Sequence, residues 1–312
     1  MTELIVEDLI ETRLDRFLRR KFIYLTQGII EKNLRKGQIK VNDKIAKAST
    51  RVSKGDIVII ADYLINAVNA DLLTSPKTYF SPAVISLAGK ILTEYLIFSC
   101  DEFIAINKPH GIAVQGGSKI NISIDHALSY LNETNNNTYR LVHRLDKGTS
   151  GVLIIAKNLN SSILIAKAFR EKEIQKTYLA IISGNMSLIA KQGYIESYIG
   201  KEKSDIYEVV KETKNGKFAK TLYEILASNE DISALKYTPL TGRIHQLRFH
   251  SKQLRFPILG DVKYGGSHFD RMMLHALELV IPASIFGREY IIKAPFDKFF
   301  ESYLHKLKCF LF

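Results

Sequence analysis

Apolar residues recur at helical spacing near the start of the chain, at Leu14, Phe17 and Leu18 and again at Ile29, Ile30 and Leu34. Each run predicts a short amphipathic helix, capped by Thr12 in the first case and Thr26 in the second, with Gly37 closing the second. A strand over 38–41, a turn at Asn42-Asp43 and a strand over 56–60 should follow. Between 61 and 91 the pattern weakens, and Ser75, Pro76, Ser81 and Pro82 interrupt any regular element. Strand-like runs return with YLIFS and FIAINKP and continue through GVLIIAK, TYLAIISG, TLYEILA and ALKYTPL. Helical patterns lie near 161–170 and 242–254. No regular βαβ alternation is visible, so the expected class is α+β, with a mixed, largely antiparallel sheet in the larger domain. The expected domains are a small one over 12–75, a linker over 76–94, and a large one over 95–312.

Charge changes this picture because it is unevenly placed. The chain of 312 residues carries a formal net charge of +12. Between Glu11 and Asp56 there are 13 Lys and Arg against 5 Asp and Glu, so this short stretch holds a net +8. Arg16, Arg19 and Arg20 form one stripe, and Lys32, Arg35 and Lys36 form a second at i, i+3 and i+4. Two basic stripes in one small domain point to a polyanion, since neutralising phosphates releases condensed counterions.

Other classes fall away. No run of about 18 apolar residues suggests a membrane span. The acidic opening MTELIVEDL does not read as a secretory leader. Cys100 and Cys309 belong to no CxxC pair, and so few cysteines suit a reducing cytoplasm. HExxH, GxSxG and phosphate-loop patterns are absent, and the histidines are scattered, so no metal site is expected. The segment LVHRLDKGTSGVLIIAK remains, with Asp146 in a loop between two strands, where active sites are often built. Taken alone, an Asp in such a loop is more often a turn-former.

HRLDKGTSG resembles the signature loop of the RluA-type RNA pseudouridine synthases, in which the Asp is the essential residue. The likeness continues through INKPHGIAVQGG, KTYLAIISG, PLTGRIHQLRFH, PILGDVKYGG, MLHALEL and KAPF, in that order, from about Tyr95 onward. TRLDRFLRR, NLRKGQIKVN and KGDIVII are similar to the alpha-L RNA-binding motif. The resemblance implies a pseudouridine synthase fold and isomerisation of uridine to pseudouridine without metal, nucleotide or redox cofactor. It implies that Asp146 is the catalytic carboxylate, that Tyr178 stacks on the uracil, and that Arg243 supplies the guanidinium that orients Asp146. Arg144, two residues before Asp146, is expected to fill the space of an extruded base or to hold a phosphate. The wording NKPHGIAVQGGS is closest to the branch acting on large-subunit ribosomal RNA, which implies that RNA as partner and a cytoplasmic, monomeric enzyme. The rival readings are the same chemistry on another ribosomal or transfer RNA uridine, and a non-catalytic RNA-binding assembly factor. Gly148, Ile244 and Phe256 depart from the family pattern.

Overall fold

The computed structural model describes residues 1–8, 11–22, 25, 27–65, 80–117, 120–135, 138–203 and 208–309. Two compact units divide the chain, Met1–Tyr79 and Phe80–Phe312.

The first unit has a four-stranded antiparallel sheet and the helices Leu14–Lys21 and Gln27–Arg35, with a further helical turn over 62–65. Thr2–Ile5 pairs with Ile57–Ile60, which pairs with Ile39–Val41, which pairs with Lys44–Ile45. The unit therefore begins before residue 12, because the opening TELI supplies an edge strand. Asn42 and Asp43 both take positive φ, as a two-residue hairpin between twisted strands requires. The Leu14–Lys21 helix buries Leu14, Phe17 and Leu18, and the Gln27–Arg35 helix buries Ile30 and Leu34. These side chains meet Ile39, Val58 and Ile60 in one core. Thr12 does not cap the first helix. It lies in a two-residue strand paired with Arg51–Val52, and Arg13 takes the cap position without a side-chain cap bond. Thr26, Ser75 and Pro76 lie outside the described residues.

The expected linker over 76–94 is largely a helix, Pro82–Leu92. Ser81 accepts a bond from Val84 N–H and Pro82 opens the helix, so this Ser-Pro pair starts an element instead of breaking one. Leu87, Ala88 and Ile91 are buried against the Ile124–Asn135 helix.

The large unit is built on an eleven-stranded sheet. Its path runs Glu208–Glu212, Gln192–Lys203, Lys217–Ser228, Ile232–Pro239, Gln175–Ser183, Leu274–Ile281, Ser150–Ala156, Phe103–Lys108 and Leu96–Ser99. Tyr290–Lys293 pairs with Leu274–Ile281, and Arg140–Leu141 pairs with Ser150–Ala156. Every pairing is antiparallel except one, the join of Ser150–Ala156 to Leu274–Ile281 at the middle of the sheet. This join brings backbones close together. A Cβ on Gly151 would sit 2.2 Å from Ala276 O, and Gly151 takes φ +107°. Only glycine fits there, five residues after Asp146.

Candidate active site

Asp146 sits in the loop between Arg140–Leu141 and Ser150–Ala156, which turns back through a Thr149 N–H bond to Asp146 O at 3.0 Å. Its side chain is about one-fifth exposed, facing a pocket lined also by Tyr178, Lys176, Arg144, Arg243, Ile244, His245 and Arg248. Tyr178 and Lys176 reach it from the Gln175–Ser183 strand, whose register against Leu274–Ile281 shifts between Thr177 and Tyr178. Such irregularities re-aim side chains and are common beside active sites.

The guanidinium that meets Asp146 belongs to Arg248, not to Arg243. Arg248 Nη1 donates to Asp146 Oδ2 at 3.1 Å. Its Nε and Nη2 donate to the two oxygens of Asp261, each at 2.7 Å. Its plane lies over the Tyr264 ring at 4.9 Å. Burial opposes charge on Arg248, but Asp261 and then Asp146 outweigh it and raise the pKa. The Gln246–Gln253 helix explains the choice. Arg248 is fastened inside that helix, whereas Arg243 lies in the preceding loop and donates from Nε to Phe218 O at 3.0 Å. Both arginines belong to PLTGRIHQLRFH and Asp261 to PILGDVKYGG. The signal was the pairing of these two segments, which no spacing within either one reveals.

His245 is a second neighbour that sequence reasoning passed over. It takes φ +54° at the start of the helix and brings Nε2 to 3.7 Å from Asp146 Oδ2. Its Nδ1 lies 2.8 Å from Tyr264 Oη, which itself accepts from Val210 N–H at 3.0 Å. Burial is the largest influence on this imidazole and takes its pKa down to about 4, so it is neutral at pH 7. Burial, with the charge of Asp146, raises the pKa of Tyr178 and keeps its phenol protonated. Among the described residues Asp146 is thus the one carboxylate lining the pocket, beside an intact phenol and a neutral imidazole.

Two further groups hold the Asp146 loop. Lys108, fully buried, donates from Nζ to Pro109 O at 2.7 Å, Ile112 O at 2.9 Å and Lys147 O at 3.4 Å. It ties the KPHG turn to the residue after Asp146, and burial lowers its pKa to about 7. His143 accepts from Ile154 N–H at 2.8 Å and stacks on Phe169, so its neutral ring pins the front of the loop. Arg144 is exposed at the pocket wall. Ile244 also lines the pocket, so this departure from the family pattern bears on substrate fit. Among the described residues no cluster of three or more His, Cys, Asp or Glu could hold a metal.

In the first unit Arg16, Arg19, Arg20, Lys32, Arg35 and Lys36 are all exposed. Arg20 is partly committed, with Nη2 at 2.5 Å from Asp8.

A mixed sheet with an Asp on a central loop, gripped by an arginine from the facing helix, matches known proteins. The model of the RNA pseudouridylate synthase family matches residues 102–253, and the S4 domain model matches 12–58. The chain belongs to the RNA pseudouridylate synthase family and is an enzyme of that class, carrying an S4 RNA-binding domain. More particularly, it is 46% identical over 298 residues to the "Ribosomal large subunit pseudouridine synthase C" of Rickettsia bellii, covering 94% of this chain and 97% of that one. The protein of the same name from Vibrio cholerae is 30% identical over 313 residues, covering 97% and 95%. Among solved structures, human RNA Pseudouridylate Synthase Domain Containing 4 superposes with a TM-score of 0.60 at 27% identity, over 72% of this chain and 97% of that one.

Proposed function

We propose that this enzyme isomerises uridines of large-subunit ribosomal RNA to pseudouridine, with Asp146 as its catalytic carboxylate and no cofactor. The observation that carries the reading is the Asp146 carboxylate, held by Arg248 at 3.1 Å in the pocket that Tyr178 lines. The reaction breaks the bond between C1′ and N1, turns the base, and forms a bond between C1′ and C5. C5 loses a proton and N1 gains one, so nothing is oxidised and nothing leaves. One ionised carboxylate is enough to act on the sugar, as glycosidase carboxylates act on an oxocarbenium-like centre. Arg248 orients that carboxylate through the Nη1 bond to Oδ2. The Tyr178 ring offers a stacking face for uracil, and Arg144 at the pocket wall is suited to fill the space an extruded base vacates. Arg243 keeps a place on the pocket wall, where its two terminal guanidinium nitrogens, unbonded among the described residues, suit a contact to RNA.

The ribosomal target rests on the names of the relatives and on a basic S4 domain. A non-catalytic binding role is disfavoured by the complete Asp146–Arg248–Asp261 chain, which binding alone does not require. Asp146→Asn removes charge at constant volume. It should abolish tritium release from RNA carrying 5-tritiated uridine while leaving RNA affinity within a few-fold. Release near the unsubstituted rate would overturn the assignment. Chemical mapping of pseudouridines in ribosomal RNA from cells lacking the protein tests the target, which fails if the large-subunit pattern is unchanged.

A further inference from the structure

Lys176 is a cation in the active-site pocket that the chemistry above does not use. Its side chain is half-buried and comes from the same strand as Tyr178, two residues earlier, at the register shift. Its Nζ approaches the loop over 241–243 from across the pocket, 3.9 Å from where a Cβ on Gly242 would stand. Among the described residues none gives Nζ a hydrogen bond or an ion pair. The groups around it do not supply an anion. Asp146 is taken by Arg248, and the Glu278 carboxylate is paired with Lys293 at 3.4 Å. His143 is a neutral acceptor already bonded to Ile154 N–H, and Lys172 repels. Burial accordingly lowers the pKa of Lys176.

A half-buried ammonium without a partner is costly, and such groups are normally satisfied by something. A neutral uracil carbonyl would recover little of its lost hydration, whereas a full negative charge recovers much more. The bound nucleotide offers such a charge on the phosphodiesters flanking the sugar that Asp146 faces.

We infer that Lys176 is a substrate-positioning residue that holds a backbone phosphate of the target nucleotide, setting the sugar against Asp146. The inference rests on the reading of the pocket as the uridine site. Base contacts then fall to Tyr178 and phosphate contacts to Lys176, one strand delivering both.

The test uses the full-length protein and a short RNA substrate made in three forms. One is natural, and the others carry a neutral methylphosphonate on the 5′ or the 3′ side of the target uridine. Lys176→Met keeps the stem and removes the charge, and Lys176→Arg restores the charge. Lys176→Met should raise KM roughly ten-fold, the scale of a charge-assisted contact, with kcat little changed. Lys176→Arg should recover most of that loss. One of the two methylphosphonates should weaken the unsubstituted enzyme by a similar factor yet have no further effect on Lys176→Met. Thermal unfolding of Lys176→Met should not fall, since no internal bond is lost. An unchanged KM, or equal sensitivity of both proteins to both methylphosphonates, overturns the inference. If Lys176→Met does not fold, insensitivity of the unsubstituted protein to both methylphosphonates overturns it instead. Equilibrium binding of the same RNAs is read alongside turnover. An absence of tritium release from the unsubstituted enzyme would therefore count against the proposed function, while the binding differences still decide the role of Lys176.

Discussion

At the residue scale the site turns on which arginine serves Asp146. Arg243 and Arg248 are five positions apart, and a loop-to-helix transition between them sends their side chains to different partners. The distinction has an energetic consequence. Asp261 is 1% exposed at its side chain, and Arg248 supplies both of its short guanidinium bonds. Arg248→Met would leave that carboxylate buried and uncompensated, a loss on the order of 3–5 kcal/mol. Arg243→Met gives up one bond to Phe218 O and should cost within about 1 kcal/mol. Denaturant unfolding of the two variants checks this ordering, and a greater loss for Arg243→Met would reverse the assignment. In HRLDKGTSG the legible residue was Asp146. Its partners were not legible, because they lie about a hundred positions away.

At the element scale the Asp146 loop is aimed by what flanks it. Behind it, the only parallel pairing among the described strands of the sheet needs Gly151, whose Cβ would collide with the Ala276 backbone. In front, His143 and Lys108 anchor the loop to the Ser150–Ala156 strand and the KPHG turn. Gly151→Ala should therefore cost about 3 kcal/mol or more, combining a positive φ with a backbone clash. Gly265 is the control, at φ +93° with open space where a Cβ would stand. Gly265→Ala should cost only about 1 kcal/mol, the conformational part alone. Equal midpoints for the two variants in denaturant would show that close approach is unimportant at Gly151. Strand positions were readable from runs such as GVLIIAK, whose residues are all buried from Gly151 to Ala156. The Pro82–Leu92 helix was missed because Ser-Pro reads as a breaker by composition and as an N-cap by position.

At the scale of the whole molecule, the basic stripes lie in one compact unit and the Asp146 pocket in the other. If the exposed stripes Arg16, Arg19, Arg20 and Lys32, Arg35, Lys36 hold RNA phosphates, they supply position and no base reading. Removing residues 1–79 should leave a folded unit, since Phe80–Phe312 has its own cores. Each lost phosphate contact should reduce the slope of log affinity against log salt by roughly 0.7 to 0.9. Turnover on a short, tightly held substrate should change little, while efficiency on intact ribosomal RNA falls. An unchanged salt slope after truncation would show that the stripes are only solvated surface. Arg20, already close to Asp8, should contribute least of the six.

Periodicity was enough to determine the α+β class, the two basic helices and the position of Asp146 between two strands, while the family followed from the resemblance of its motifs. These are local properties, set by side chains that alternate with the pitch of their own element. Tertiary structure alone decided that Arg248, clamped by Asp261, is the guanidinium at Asp146, that His245 stands beside it neutral, and that Lys176 faces the pocket with no partner among the described residues. Each of these depends on how distant segments meet across the sheet, and on a burial that no single segment carries in its own sequence. Desolvation and pairing set the charge of a side chain only after the fold has chosen its neighbours.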